Sequence, residues 1–388
     1  MNIPKLRQHR TTKKYHGITI NDDYAWVDQP NIIEVLQKPE KLIPEVKKYL
    51  EENNQLTEKY FGDVKNLQKI LFKEIKSKIK LDDESLKFKD EKYFYWTKTT
   101  REGNYGKKLR QKIGTSKIET YFDGDKEKEL SGSKYFGIGA IAVSHNDELM
   151  AYSLDLKGSE YYDIFLKDIS SNKIIEKKIE NTSGSIVWEL DSKSFYYTPL
   201  DKFHRSRKIY KHLVGTSSKD DQLIFEEKDE TFSVGISLTS DEKFFVISTS
   251  DSETVEEYFF PVGQKIVKPK LFRSRKKGIK YSVDSWKNHW YIHTNENALD
   301  YQILRCNHSD INNTTVFISP KDETIIGSLE FLDEYIIRSE KSDAIPKIFI
   351  RNISSNFEEE LIISDEPVGS PGASLMQKDT NTFKIWIS

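Results

Sequence analysis

The sequence has 388 residues, enough for one large domain or two ordinary ones. Its 60 basic and 62 acidic residues nearly cancel to a net charge of −2, so composition gives no support for binding to nucleic acid or to an anionic membrane surface. The one cysteine, Cys306, excludes an internal disulfide and fits a reducing compartment, and no secretory signal or long apolar stretch is visible, so we expect a cytoplasmic protein.

Residues 1–80 are predicted to form an extended and then helical N-terminal segment. After a turn-rich start, Ile43-Pro44-Glu45 opens a helical pattern in which apolar residues recur every three or four positions up to Phe61. Gly62-Asp63 then breaks the chain, and Asp63 is the expected N-cap of a second helix. The second helix has an apolar stripe made of Val64, Leu67, Ile70, Leu71, Ile75 and Ile79, with lysines on its opposite face.

From about Lys87 the apolar pattern changes to a period of two that continues to the end of the sequence, and a sequence motif recurs about every 45 to 56 residues. Each copy is a polar turn, then an aromatic-rich strand, then a further apolar strand. The copies begin at residues 90–96, 147–152, 191–197, 241–247, 288–292, 333–337 and 379–386. A fixed period in this range, with several strands in each copy, is typical of β-propeller blades.

The second copy predicts four strands, at residues 138–143, 149–154, 163–169 and 173–179. The third predicts four more, at residues 186–190, 194–198, 208–214 and 222–226. The seventh copy has its aromatic strand and the sequence then ends at Ser388. We therefore expect a mainly β protein, a propeller of the seven-bladed type over residues 87–388 with six blades and a partial seventh, preceded by the short α-helical N-terminal segment.

Several stretches resemble one family. Tyr15-His16-Gly17, followed by Asp22-Asp23-Tyr24-Ala25-Trp26-Val27-Asp28, resembles the opening of the prolyl oligopeptidase family. Residues 71–79 and 82–85 look like the oligopeptidase B branch, also called protease II, and so do residues 141–144, 151–155, 200–205 and 226–232. The resemblance covers nearly the whole sequence.

The resemblance implies a serine peptidase of two domains, in which a propeller covers an α/β-hydrolase domain and admits only short, unfolded peptides. The helical segment would pack with the hydrolase half. Members of the oligopeptidase B branch cleave after Lys or Arg. In family order the hydrolase domain follows the propeller.

No catalytic residue is expected in this sequence. An α/β-hydrolase needs a G-x-S-x-G elbow followed by Asp and His, and none of Ser133, Ser185, Ser370 and Ser374 has glycines at both flanking positions. No cofactor or metal site is expected either. His289 and His293 are four apart, but they flank a predicted strand and lack the helix and glutamate of a zinc motif.

Three other features each have a functional and a purely structural interpretation. His204, in a loop with Arg205 and Arg207, is a candidate for lining an inter-domain face. Cys306 ends a strand and is read as structural. The basic run 273–277 resembles a nucleic-acid patch, but solvated loops look the same and no aromatic residue is interleaved.

Three hypotheses follow. The chain is the non-catalytic propeller portion of an oligopeptidase B-like peptidase whose hydrolase domain is encoded separately, or it is the remnant of a truncated gene, inactive alone. The alternative is a peptide- or protein-binding propeller module. Possible partners are therefore a separate α/β-hydrolase domain and short peptides, with no nucleic acid and no membrane.

Overall fold

The computed structural model describes residues 3–362, 371–375 and 382–387. The N-terminal part has a hairpin and three helices. They are β1 (Thr11–Tyr15), β2 (Ile18–Asp22), α1 (Ile32–Gln37), α2 (Pro44–Tyr60) and α3 (Lys65–Ser77). Pro44 suits the first turn of α2 because a residue there has no intrahelical partner for its N–H.

The ends of these helices differ from the predicted ones. Asp63 is not a cap: it lies in the short 3₁₀ turn Gly62–Val64, and the N-cap of α3 is Val64, which makes no side-chain cap hydrogen bond. Helix α3 ends at Ser77 rather than at Ile79, and α1 lies in the region that was expected to be only extended and turn-rich.

The rest of the chain forms six antiparallel sheets of four or five strands. Sheet one contains β3 (Asp83–Glu84), β4 (Phe88–Asp90), β5 (Tyr93–Thr99), β6 (Lys107–Lys112) and β7 (Ile118–Asp123). After helix α4 (Gly124–Ser131), sheet two contains β8 (Gly137–Val143), β9 (Leu149–Asp155), β10 (Tyr162–Asp168), β11 (Lys173–Ile174) and β12 (Ile179–Thr182). Sheet three contains β13 (Val187–Trp188), β14 (Ser194–Tyr197), β15 (Lys208–Leu213) and β16 (Gln222–Glu226).

Sheet four contains β17 (Ser233–Leu238), β18 (Phe244–Ser250), β19 (Val255–Pro261) and β20 (Lys270–Arg273). Sheet five contains β21 (Tyr281–Trp286), β22 (His289–Thr294), β23 (Gln302–Asn307) and β24 (Asp310–Ile318). Sheet six contains β25 (Thr324–Phe331), β26 (Tyr335–Ser342), β27 (Ile345–Asn352) and β28 (Glu358–Glu360). A two-stranded sheet follows, made of β29 (Pro371–Leu375) and β30 (Phe383–Ile387).

The aromatic second strands explain how the sheets stack. Successive side chains of a strand point to opposite faces, and in β14 Phe195 and Tyr197 pack against sheet two whereas Tyr196 packs against sheet four. Five apolar clusters of this kind fill the five seams between consecutive sheets. The six sheets are therefore the blades of a β-propeller, and the predicted mainly β fold with six blades is confirmed.

Two predicted strands differ from those observed. The strand expected at residues 173–179 is interrupted: β11 and β12 pair separately with β10. The unbroken period of two is also wrong between sheets one and two, because α4 is inserted there. Asp123 caps this helix by accepting the Lys126 N–H, and Gly132, with a φ of 61°, ends it.

Sheet β29–β30 packs on the apolar cluster of sheet six, where Phe383 and Ala373 cover Leu332 and Ile337. The polar turn predicted to open the seventh copy falls largely on residues 376–381, outside the described residues. Among the described helices, none is both long and apolar enough to cross a membrane.

Candidate functional site

The inner strands of the blades surround a central channel. A cavity of about 330 Å³ is lined together by Phe88, Ala142, Val187 and Leu238, which lie on or beside the first strands of sheets one to four. Four blades therefore face one common space. A channel of this kind is the usual place for a propeller to bind or admit a ligand.

The two ends of the channel differ in what forms them. We call one the link end, because the connections between sheets lie there together with the turns between second and third strands. Residues 78–82 join α3 to sheet one at this end. We call the other the turn end, because the hairpin turns between first and second strands lie there.

The hairpin turns at the turn end are fixed by hydrogen bonds to the next blade. The Tyr95 hydroxyl donates to Asp147 Oδ1 at 2.6 Å, and the Asn146 N–H donates to Ser192 Oγ at 2.9 Å. The Ser240 N–H donates to Asp284 Oδ1 at 2.8 Å. Each turn is thus held in place by its neighbour, which fixes the positions of the side chains around the opening.

Those side chains are mainly acidic. A recess of about 350 Å³ at the turn end is lined by Glu91, Asp241, Glu242 and Asp333, with Lys89 as the one cation among its lining residues. Carboxylates from three blades face this recess. This recess therefore attracts cations and repels anions.

The link end has charges of both signs, and they form ion pairs. Arg275 Nη2 lies 2.6 Å from Glu227 Oε2 and 3.1 Å from Glu256 Oε1. Burial opposes ionisation of Glu227 and Glu256, but hydrogen bonds hold the pKa of both carboxyls below the ordinary value. The donors are Thr249 and Arg275 for Glu227, and Arg275 for Glu256. The link end is therefore tied together by its own charges.

The loop that holds His204 belongs to the link end. Asp201 Oδ1 accepts the N–H groups of Phe203 and Arg205, and Asp201 Oδ2 accepts Arg207 Nε at 2.9 Å. His204 stacks edge-on against Tyr161 of sheet two, with ring centres 4.6 Å apart. Whether His204 contacts another domain stays a prediction.

The other singled-out residues are not brought together into a site. His289 and His293 lie on β22, where His289 Nδ1 contacts the Lys287 carbonyl and His293 Nε2 contacts the Ile326 carbonyl. No group of three potential metal ligands occurs in the described part of the chain. Cys306 is buried, and burial raises the pKa of its thiol, so it is a poor nucleophile.

The basic run 273–277 is largely neutralised by acidic neighbours. Besides the Arg275 pairs, Lys276 Nζ lies 2.5 Å from Glu296 Oε1, and Arg273 lies 3.9 Å from Glu296 Oε2. These contacts favour the interpretation of this run as a solvated loop rather than a nucleic-acid patch.

A serine–histidine hydrogen bond does occur, but with the wrong polarity for catalysis. Ser285 Oγ lies 2.8 Å from His308 Nε2 and 2.8 Å from Asp241 Oδ2. The Ser285 hydroxyl donates its one proton to Asp241 Oδ2, so it can only accept from His308, the reverse of an activated nucleophile. Ser285 is also fully buried. The trio fastens the turns of sheets four and five, and sequence spacing gave no sign of it.

Comparison with known protein families finds one family model that matches almost the whole chain. A family model described as prolyl oligopeptidase, N-terminal beta-propeller domain, matches residues 4–387. Among curated proteins, the chain is 24% identical to dipeptidyl aminopeptidase BI of Pseudoxanthomonas mexicana, over 95% of this chain and 52% of that protein. It is 22% identical to protease 2 of Moraxella lacunata, over 99% of this chain and 55% of that protein. The chain spans about half the length of the curated relatives it matches.

Solved structures show the same fold. Oligopeptidase B from Trypanosoma brucei, with covalently bound antipain and in a closed form, superposes with a TM-score of 0.88 at 22% identity, over 100% of this chain and 57% of that chain. Oligopeptidase B from Leishmania major gives a TM-score of 0.89 at 21% identity, with the same coverage. At these identities the likeness establishes the fold.

Proposed function

Since the chain belongs to the family of prolyl oligopeptidase N-terminal β-propeller domains, we propose that it is the non-catalytic propeller portion of an oligopeptidase B-like serine peptidase. It would cover an α/β-hydrolase domain, supplied in the same polypeptide or separately, and admit short peptides that are cleaved after Lys or Arg. The observation that carries the proposal is the family match over residues 4–387, together with relatives in which this chain accounts for only about half of the length.

We propose that the hydrolase domain supplies all of the residues that cleave the peptide. The sequence has no G-x-S-x-G elbow, so this chain supplies no nucleophile, and we expect it to be inactive alone. Its contribution would be selection by size and charge through the channel. The division we propose is an N-terminal segment at residues 1–80 and a propeller at residues 87–388, acting in the cytoplasm.

Helix α3 supports a docked hydrolase domain. None of its residues is buried, and its apolar face is open to solvent: Leu67 is 52% exposed and Ile75 is 63% exposed, with Leu71 between them on the same face. An apolar stripe of this width on a helix is normally covered by another element. Because α3 leads to the link end, a hydrolase domain placed there would cover both.

We further propose that β29 and β30 are the inner half of a seventh blade. They are antiparallel neighbours that pack on sheet six, as an inner strand pair would. Lys384 of β30 lines a cavity with Phe88 and Tyr95 of sheet one, which supports a position for this small sheet between sheets six and one. Outer strands added at β30 would complete a ring of seven.

Co-expression with an oligopeptidase B-type hydrolase domain tests the proposal. We expect the two parts to elute together in size-exclusion chromatography and to cleave a fluorogenic peptide with Arg before the scissile bond, whereas each part alone is inactive. A folded chain and a folded hydrolase domain that elute separately would refute it.

Variants of α3 make the test specific to the apolar face. Leu71→Lys with Ile75→Lys should weaken assembly by at least about tenfold, since two charges would be buried at the contact. Asn66→Lys adds the same kind of charge on the opposite, polar face of α3 and should assemble normally. Equal assembly of both variants would mean that this face is not the contact.

The alternative, a peptide- or protein-binding module, is favoured by one observation: the acidic recess at the turn end is complete without a second domain. Tight binding of a protein partner at the turn end by a chain that does not assemble with a hydrolase domain would support this alternative.

A further inference from the structure

The channel cavity described above has a polar floor at the turn end. Besides the inner strands, the cavity of about 330 Å³ is lined by Asp90, Glu91 and Asp147 from the hairpin turns of sheets one and two. A volume of this size accommodates one long side chain of a peptide.

Asp147 provides an unused hydrogen-bond acceptor there. The residue is only 6% exposed, and Oδ1 accepts the Tyr95 hydroxyl, but Oδ2 has no hydrogen-bond partner among the described residues. A buried carboxylate oxygen without a donor is costly, so a donor that enters the cavity and displaces the groups that now cover Oδ2 would be stabilised at this position.

Aromatic rings form the walls around this acceptor. Tyr95 and Tyr121 meet edge-to-face with ring centres 5.6 Å apart, and Phe88 and Trp188 line the same cavity. The Trp188 indole N–H donates to the Ala142 carbonyl at 3.0 Å, which fixes the orientation of that ring. Rigid aromatic faces beside carboxylates favour flat organic cations, above all guanidinium.

The charged groups near this turn do not neutralise the cavity. Arg110 lies beside the turn and is not among the lining residues of the cavity: its Nε pairs with Glu119 Oε2 at 3.0 Å, and its Nη1 donates to the backbone carbonyl of Asp147 rather than to the carboxylate. His145 is a further titratable residue of the lining, beside the three carboxyl groups.

We propose that this cavity binds the guanidinium group of an arginine-containing peptide, with Asp147 as the principal acceptor and the aromatic rings of sheets one and three as its walls. The inference rests on the proposed function in taking the ligand to be a peptide, and it deepens that function by naming the group that the channel recognises. Basic peptides would be held at the turn end before they move farther along the channel.

Binding to the chain of 388 residues, without any hydrolase domain, tests the proposal. The probes are N-acetyl-arginine amide and N-acetyl-citrulline amide, which has nearly the same shape but no charge. By calorimetric titration at about 50 mM salt, where screening is weak, we expect the arginine probe to bind at least about tenfold more tightly.

Asp147→Asn should weaken binding of the arginine probe by about tenfold. Asparagine still accepts from Tyr95 and tolerates the φ of 65° at this position, so the turn should be kept. Glu91→Gln, a second variant in the lining, should weaken binding severalfold. The control Glu148→Gln removes a charge from the same turn outside the cavity and should leave binding within about twofold.

Equal affinity for the two probes would overturn the proposal, and so would Asp147→Asn and Glu91→Gln proteins that are folded and bind like the parent. Because no hydrolase domain is present, a failure here is separate from a failure of the assembly test.

Discussion

Glu257 is a carboxyl group 4% exposed in the seam between sheets four and five. Its Oε2 accepts the Val283 N–H at 2.8 Å, and burial raises the pKa of Glu257 to about 8. Since the folded state holds this proton to higher pH than the unfolded state, the resulting stability is present below the unfolded pKa and is lost as pH rises through about 8. We expect the free energy of unfolding in urea to fall by a few kcal/mol from about pH 5 to about pH 9.

Glu257→Gln should remove most of that decline, because the amide still accepts the Val283 N–H and has no proton to lose. At about pH 9 this variant should be more stable than the parent chain. Glu253→Gln, an exposed residue of the same sheet, should leave the pH profile unchanged. A parent profile that is flat over this range would show that Glu257 is not protonated in the folded chain.

At the scale of elements, sheets two and three are joined by a buried ionic clamp. His212 of β15 contacts Asp221 Oδ1 through Nδ1 and Glu176 Oε1 through Nε2, each at 2.8 Å. Burial alone would lower the pKa of His212, but the two carboxylates raise it to about 9. The imidazolium therefore spans the seam at neutral pH, and its contribution to stability is lost as pH rises through about 9.

His212→Leu should destabilise the chain by about 3–5 kcal/mol, because two buried carboxylates lose their shared cation. His289→Leu, at a half-buried position on β22, is the matched control and should cost less than about 1.5 kcal/mol. Denaturation midpoints measured at neutral pH separate the two expectations, and equal losses would mean that the clamp adds nothing.

At the scale of the whole molecule, burial is greatest in the middle sheets of the series and least in the first sheet and the last. The second strands of sheets two and three, β9 and β14, are buried almost throughout, whereas in β5 of sheet one only Trp96 is buried and in β30 Trp386 is 43% exposed. Local opening is easiest where fewest apolar contacts are lost.

Hydrogen exchange should therefore be slowest in β9, β14 and β18 and markedly faster in β5 and β30. Addition of a hydrolase domain that assembles with the chain should slow exchange in α3, while β14 serves as the internal control. Uniform protection around the ring would contradict this gradient.

The local sequence pattern was enough to predict the blades, but it did not predict the buried polar contacts. Phe195, Tyr196 and Tyr197 identify a strand with two buried faces because period two and propeller packing require it. Helix α4 was missed although Asp123 and Gly132 are ordinary capping residues, since the surrounding strand pattern outweighed them.

The candidate site was less accessible to sequence reasoning. Asp147 looks like any turn aspartate, and its role depends on Tyr95, which is 52 residues away in sequence. Glu256 and Glu257 look like a solvated pair in the sequence, and only the packing of sheets four and five shows that both are buried. Such contacts arise from tertiary placement, which periodicity does not contain.

The hairpin turns at the turn end combine backbone strain with negative charge at the same positions. Glu91, Asp147 and Glu242 all have positive φ, at 43°, 65° and 56°, where glycine would relax the backbone by about 1 kcal/mol per position. Glycines there would relieve that strain, but they would also remove three carboxylates from this end of the channel and the acceptor of the Tyr95 hydroxyl. A version obtained in that way would keep Asp241 and Asp333 but have a weaker negative potential, so its choice among peptides would rest more on the width of the channel.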